Sequence, residues 1–216
     1  MILLTRADFE KSIQSFINQS EKIETRWMLT NIPMLNYKYL QQTSYITITP
    51  PEDNQLLSVS SLKKISESKT IETIDNGVYE EEDPACAKFD QDNNQPTFIM
   101  SYHILYSSSY QVPVLYFNAQ HMDGSTLSLD EIYEYIIPDI YQKELKTSPI
   151  NVYGSVSQAD HPLNGAPFWY IHPCQTQNML QSIGGIDNLS IDDYIKVWLS
   201  FVGPIVRYRI PYELFL

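Results

Sequence analysis

Apolar residues first recur at helical spacing, with Phe9, Ile13, Phe16 and Ile17 falling on one face. Ahead of them Thr5-Arg6-Ala7-Asp8 has the Ser/Thr-x-x-acid form of a helix start, so the pattern predicts a helix from about Arg6 to Glu24. From Trp27 to Thr49 the period falls towards two, with Tyr37, Tyr39, Tyr45, Ile46 and Ile48 among polar neighbours. This predicts two strands, with breaks at Asn31-Ile32-Pro33 and Gln41-Gln42. Phe98 to Ala119 reads as a hairpin: Phe98, Met100, Tyr102, Ile104 and Tyr106 share a face, Ser107 to Ser109 turn the chain, and Val112, Val114 and Tyr116 return. Pro113 has no amide donor, so its strand is expected at an edge or paired on one side only there. Ser128-Leu129-Asp130-Glu131 is a capping box, and Leu129, Ile132, Tyr133 and Ile136 mark one helix face ended by Pro138. A short apolar strand, Phe168 to Ile171, runs into His172-Pro173-Cys174. From Thr176 a brief helical pattern (Met179, Leu180, Ile183) is closed by Gly184-Gly185. After Ser190-Ile191-Asp192-Asp193 a last helix places Tyr194, Val197, Trp198 and Phe201 at i, i+3, i+4 and i+7, with Gly203-Pro204 as its stop and Ile205 to Ile210 as a short packed segment.

This order predicts an α+β arrangement with an antiparallel sheet. The 216 residues suit one domain, taken as 1–216. Residues 50–95 break the pattern. Eleven acids against four bases leave −7 of the chain's −12, among Ser-, Asn- and Gln-rich patches, so the stretch is expected to be a flexible acidic insertion with one short element near Leu56 to Ile65. Its charge serves solubility or an interaction loop. The overall acidity makes nucleic acid and anionic membrane surfaces poor partners. No apolar run has spanning length, and the first helix mixes Lys11 and Lys22 with Glu10 and Glu21 on its polar face, so neither stable membrane insertion nor a membrane-binding helix is expected. Met1-Ile2-Leu3-Leu4 is too short for a signal-peptide core, which points to a cytoplasmic protein.

Only two cysteines, Cys86 and Cys174, argue against a disulfide framework. Cys174 sits where a buried strand gives way to a Pro-stiffened loop, with His172 two residues before it. A thiolate is favoured by a neighbouring imidazolium, a helix N-terminus or partial exposure. Cysteine is also among the most often buried residues, and spacing alone leaves a nucleophile and an inert core thiol equally open. A zinc site lacks the second pair of ligands that its geometry needs. A papain-like hydrolase needs a distant histidine, for which His103 and His121 are the candidates. A non-enzymatic scaffold built on the acidic stretch is the third class.

Three ordered phrases separate these readings. Asp160-His161-Pro162 through Gly165, then His172-Pro173-Cys174, resembles the active-site signature of two autophagy-specific families of ubiquitin-conjugating type, autophagy-related proteins three and ten. Tyr102-His103-Ile104-Leu105-Tyr106-Ser107-Ser108-Ser109-Tyr110-Gln111-Val112-Pro113-Val114-Leu115-Tyr116-Phe117 is similar to the family of protein ten, as is Trp198-Leu199-Ser200-Phe201-Val202-Gly203-Pro204. The Arg-x-Trp and Tyr-Asp-Glu of protein three, the lipid-conjugating relative, are missing. The resemblance covers roughly Phe98 to Pro211 and implies the ubiquitin-conjugating (E2-like) fold, a sheet flanked by helices. It implies that Cys174 carries a ubiquitin-like modifier, autophagy-related protein twelve, as a thioester. The activating enzyme is then protein seven and the target a lysine of protein five, with no nucleotide, metal or other cofactor held by this chain. Ordinary ubiquitin-conjugating enzymes place His-Pro-Asn ahead of the cysteine, and this chain has no such tripeptide. Tyr116, Asn118 and Asn164 are the candidate donors in its place; His172 and Pro173 are expected to shape the loop.

Overall fold

The structure, a computed structural model, describes residues 3–23, 25–48, 95–142, 156–182 and 189–216. Its contacts divide the chain into one unit of Met1–Ile46 with Thr97–Leu216 and a second of Thr47–Pro96. Almost all of the second unit, including the element expected near Leu56 to Ile65 and Cys86, lies outside the described residues, as do Ile183 and Gly184-Gly185. The sheet and its helices are built by the first unit.

Helix α1 is Arg6–Ser20, followed by a 3-10 turn Glu21–Ile23, so the α-helix stops about a turn before the expected end. The Thr5 hydroxyl accepts the Asp8 amide at 3.1 Å while the Asp8 carboxylate accepts the Thr5 amide at 3.0 Å. This is the reciprocal cap that the sequence announces. Phe9, Ile13, Phe16 and Ile17 are buried, and so are Ser12 and Ser20 on the same stripe.

Six strands follow among the described residues: β1 (Met28–Ile32), β2 (Tyr37–Thr47), β3 (Thr97–Ser107), β4 (Val112–His121), β5 (Val156–Asp160) and β6 (Pro167–Ile171). They form one sheet in the order β1-β2-β3-β4-β6-β5, with antiparallel pairing at β1/β2, β3/β4, β4/β6 and β5/β6. The break at Pro33 is real: Pro33–Leu35 makes a 3-10 turn ended by Asn36 at φ 45°. Gln41-Gln42 is not a break, because β2 runs through it and buries Gln42 in the sheet. Strand β5 has no counterpart among the elements that the sequence pattern predicts. It is a mostly exposed edge whose Ser157, Gln158 and Asp160 bury no alternate face, so it lacks a period-two signal. Pro113 pairs with Tyr106 of β3, while the β4/β6 ladder is confined to Tyr116 and Phe117, so the missing amide falls where β4 has one partner.

The register sorts the strands into two faces. Met100, Tyr102 and Ile104 lie across from Ala119, Phe117 and Leu115, Phe98 extends their strand's row, and Trp169 and Ile171 continue it on β6. Helices cover this side: Phe9 of α1 meets Tyr106 with ring centroids 5.6 Å apart, and the Tyr102 hydroxyl donates to the Val206 carbonyl at 2.9 Å. Helix α2 is Thr176–Ser182 and helix α3 is Tyr194–Val202. The buried face of α3 is Tyr194, Ile195, Trp198, Leu199 and Val202; Val197 and Phe201 lie at its margin rather than on it. In the segment after Ser128 the expected capping box is present, but only Leu129–Glu131 is α-helical. Ile132–Ile136 widens into a π-turn, Leu129 is exposed, and Leu127 and Ile137 are buried with Ile132 and Ile136 instead.

The start of α3 is capped across the chain. Asp193 gives it no side-chain cap, since its carboxylate takes the Ser190 hydroxyl at 2.9 Å and the Lys196 ammonium at 2.8 Å. The Ile195 amide donates instead to the buried Ser12 hydroxyl of α1 at 3.2 Å. Ser12→Ala is therefore expected to cost about 1–2 kcal/mol by leaving that amide unpaired. The check is a lower urea midpoint at unchanged slope.

Candidate active site

Beyond β6 the backbone changes from extended to a 3-10 turn, Pro173–Gln175, which feeds into α2. Proline suits the first position of such a turn because its fixed φ is already right and its amide has no bond to lose. Pro173 is buried, as are Thr176, Met179 and Leu180, so the turn is anchored on its apolar side. Cys174, by contrast, is exposed, a free thiol held on a fixed support. The core-thiol reading is thereby removed. The His172 side chain caps the turn: its Nδ1 accepts the Cys174 amide at 3.2 Å. Thus the imidazole grips the cysteine's backbone, and its Nδ1 carries no proton in this arrangement. At the other end of the ring Nε2 lies 3.4 Å from the Tyr110 hydroxyl, and the two rings meet edge to face at 5.3 Å.

A cleft of about 370 Å³ opens beside this turn on the sheet face away from α1. Its walls include Leu105, Tyr110, Val114, Tyr116, Pro162, Tyr170, His172 and Pro173, and no acidic side chain lines it. Tyr116 and Tyr170 face each other across the β4/β6 ladder and stack at 5.4 Å, and Tyr170 lies 6.1 Å from the His172 ring. Burial, and then the neighbouring Tyr170, push the Tyr116 hydroxyl above its ordinary value, so it stays a protonated donor.

Of the residues expected at the site, His172, Pro173 and Tyr116 meet at this cleft and Cys174 stands on the turn that bounds it. Asn118 lies two residues further along β4, on the side away from the cysteine, and does not line the cleft; its Oδ1 is buried without a partner among the described residues. Asn164 accepts the Ala166 amide at 3.0 Å and so closes the β5/β6 turn. The two histidines suited to a hydrolase are engaged elsewhere: His103 with His161 at 2.9 Å, His121 with Glu131 at 3.1 Å. Sequence reasoning did not single out Tyr110 and Tyr170. Tyr110 lay inside the quoted hairpin phrase, but only the fold brings its hydroxyl to His172. Among the described residues no group of three or more His, Cys, Asp or Glu side chains is placed to hold a metal ion. Nor is any described helix long and apolar enough to cross a membrane.

The chain belongs to the family described as autophagocytosis associated protein, active-site domain, which it matches over residues 8–213. Within that class, four similar proteins carry one name. It is 40 % identical over 113 residues to the ubiquitin-like-conjugating enzyme ATG10 of Homo sapiens, covering 51 % of this chain and 49 % of that protein. It is 35 % identical over 128 residues to ATG10 of Dictyostelium discoideum, covering 54 % of each. With ATG10 of Arabidopsis thaliana it shares 24 % identity over 225 residues, 96 % of each chain. The chain thus spans about half the length of the first two relatives and nearly all of the third. A crystal structure of the autophagic E2 Atg10 is similar with a TM-score of 0.49 at 14 % identity, over 97 % of this chain and 100 % of that one.

Proposed function

We propose that this chain is an E2-like transferase that carries autophagy-related protein twelve as a glycyl thioester on Cys174. The observation that supports the reading best is the exposed thiol on an anchored, His172-capped turn beside a cleft, in a chain of the active-site-domain family. In the first step the Cys174 thiolate attacks the thioester carbonyl of the modifier on its activating enzyme, autophagy-related protein seven. The new C–S bond forms as the old one breaks, and the enzyme's thiolate leaves. In the second step the neutral ε-amine of a lysine of autophagy-related protein five attacks the same carbonyl. The amine nitrogen loses a proton, and the C–S bond to Cys174 breaks to leave an isopeptide. The bond energy is already in the thioester, so the chain's contribution is position and charge stabilisation. Of the candidate donors, Tyr116 on the cleft wall is the one that would meet the developing oxyanion, Asn118 lying outside the cleft. The cytoplasm is the compartment in which these partners would meet it.

The test is to incubate the purified chain with the activating enzyme, ATP and the modifier, and to run the products with and without reductant. A reductant-sensitive adduct that discharges when the target is added is the expected result. No adduct, under conditions that charge another conjugating enzyme, would refute the proposal.

A further inference from the structure

We propose that His161, backed by His103, is a positioning residue for the transfer step, holding Tyr116 and Pro162 as walls of the cleft beside Cys174. This rests on the thioester reading above. His161 heads the turn between β5 and β6 and is only 2 % exposed. Its backbone clamps that turn from both sides, with its amide donating to the Ala166 carbonyl at 2.7 Å and its carbonyl accepting the Gly165 amide at 2.9 Å. The side chain lies back on the sheet. The Leu163 amide donates to its Nδ1 at 3.3 Å, and its Nε2 lies 2.9 Å from Nδ1 of His103 on β3.

An amide can only donate, so His161 Nδ1 is bare and the neutral ring carries its proton on Nε2, which donates to His103. Only one proton arrangement satisfies the chain, and burial keeps both rings neutral: His103 is pushed down to about 4 and His161 is lowered. A ring fixed at both nitrogens cannot turn. It meets Tyr116 edge to face at 5.5 Å, Tyr116 stacks on Tyr170, and Tyr170 abuts the His172 that caps the cysteine. Pro162, the next residue, forms the cleft wall at the clamped turn. An apolar ring in place of His161 would fill the volume and keep its packing on Phe168 and Tyr39, but it would lose the two hydrogen bonds that hold its angle against Tyr116.

The test isolates the wild-type thioester from the activating enzyme and times its discharge to saturating free lysine, beside His161→Gln and His161→Phe. Gln retains an amide acceptor and donor; Phe retains only the ring. Discharge about fivefold slower for Phe and within about twofold of wild type for Gln is expected, the scale of one hydrogen bond's net worth. A packing role alone would rank Phe at or above Gln at so buried a site, and that ranking would overturn the proposal. If His161→Phe does not fold, His103→Gln and His103→Phe, at a less buried position, carry the same comparison. Nitrogen NMR of the wild type should show His161 protonated on Nε2 and bare at Nδ1; the opposite tautomer also overturns it. A wild type that never forms a thioester fails at the earlier step, before any variant is compared.

Discussion

Cys174→Ser is expected to end conjugation to the target and to replace the thioester by an oxygen ester. The substitution leaves the turn alone, because the cysteine's bond to the His172 Nδ1 runs through its backbone amide and not its side chain. What changes is the nucleophile. A thiol is appreciably ionised near neutrality and a serine hydroxyl is not, so the hydroxyl acquires the modifier slowly. The ester so formed also yields to an amine far more reluctantly than a thioester does. Target conjugation should therefore fall on the order of a thousandfold or more, as in other losses of an enzymatic nucleophile. On gels the wild-type adduct should vanish with reductant, whereas the serine adduct should survive reductant and be cleaved by mild base. Cys86→Ser is the control. If the reductant-sensitive adduct is lost from Cys86→Ser and kept by Cys174→Ser, the nucleophile has been assigned to the wrong residue.

Residues that act through near neighbours were legible in the sequence. The Thr5/Asp8 cap and the Phe9, Ile13, Phe16, Ile17 stripe are local, and they appear as read. The β3/β4 hairpin is likewise local, its turn at the serine run and its faces set by period two. Signals failed where a tertiary demand replaced the local one. Strand β5 exists because β6 offers it a ladder, and its polar residues say nothing of that. Gln41-Gln42 looks like a break only until β2 is seen to have sheet neighbours on both sides. In α3 the helical phase was right at Tyr194 and Trp198. The burial of Ile195 and Leu199, however, follows from the position of α1, whose Ser12 caps the same turn.

The site divides in the same way. Cys174, Pro173 and His172 are consecutive, and the proline after the histidine is enough to announce a turn. Tyr116 depends on the β4/β6 register, Tyr110 on the reach of the hairpin tip, and the His103–His161 pair on a contact 58 residues apart in sequence. Composition and spacing alone could not have placed these together. The quoted family phrases located the segments that meet but did not show which side chains touch.

His172 supplies the second large effect. Its Nδ1 is the acceptor for the Cys174 amide, and its ring also forms part of the cleft wall. His172→Ala removes both, leaving the turn uncapped and free to sample geometries in which the thioester carbonyl is misplaced. A cap of this kind is worth about 1–2 kcal/mol, so discharge of the thioester is expected to slow about tenfold, each ~1.4 kcal/mol being one factor of ten. His172→Asn makes the prediction sharp. An asparagine oxygen readily accepts the amide two residues on, so it restores the cap without the imidazole. Discharge by His172→Asn within about threefold of wild type would show that the cap is what matters. If instead His172→Asn is as slow as His172→Ala, the ring itself is required. Its contacts with Tyr110 and Tyr170 would then carry the effect, and the Nδ1 cap would not be the source of the loss.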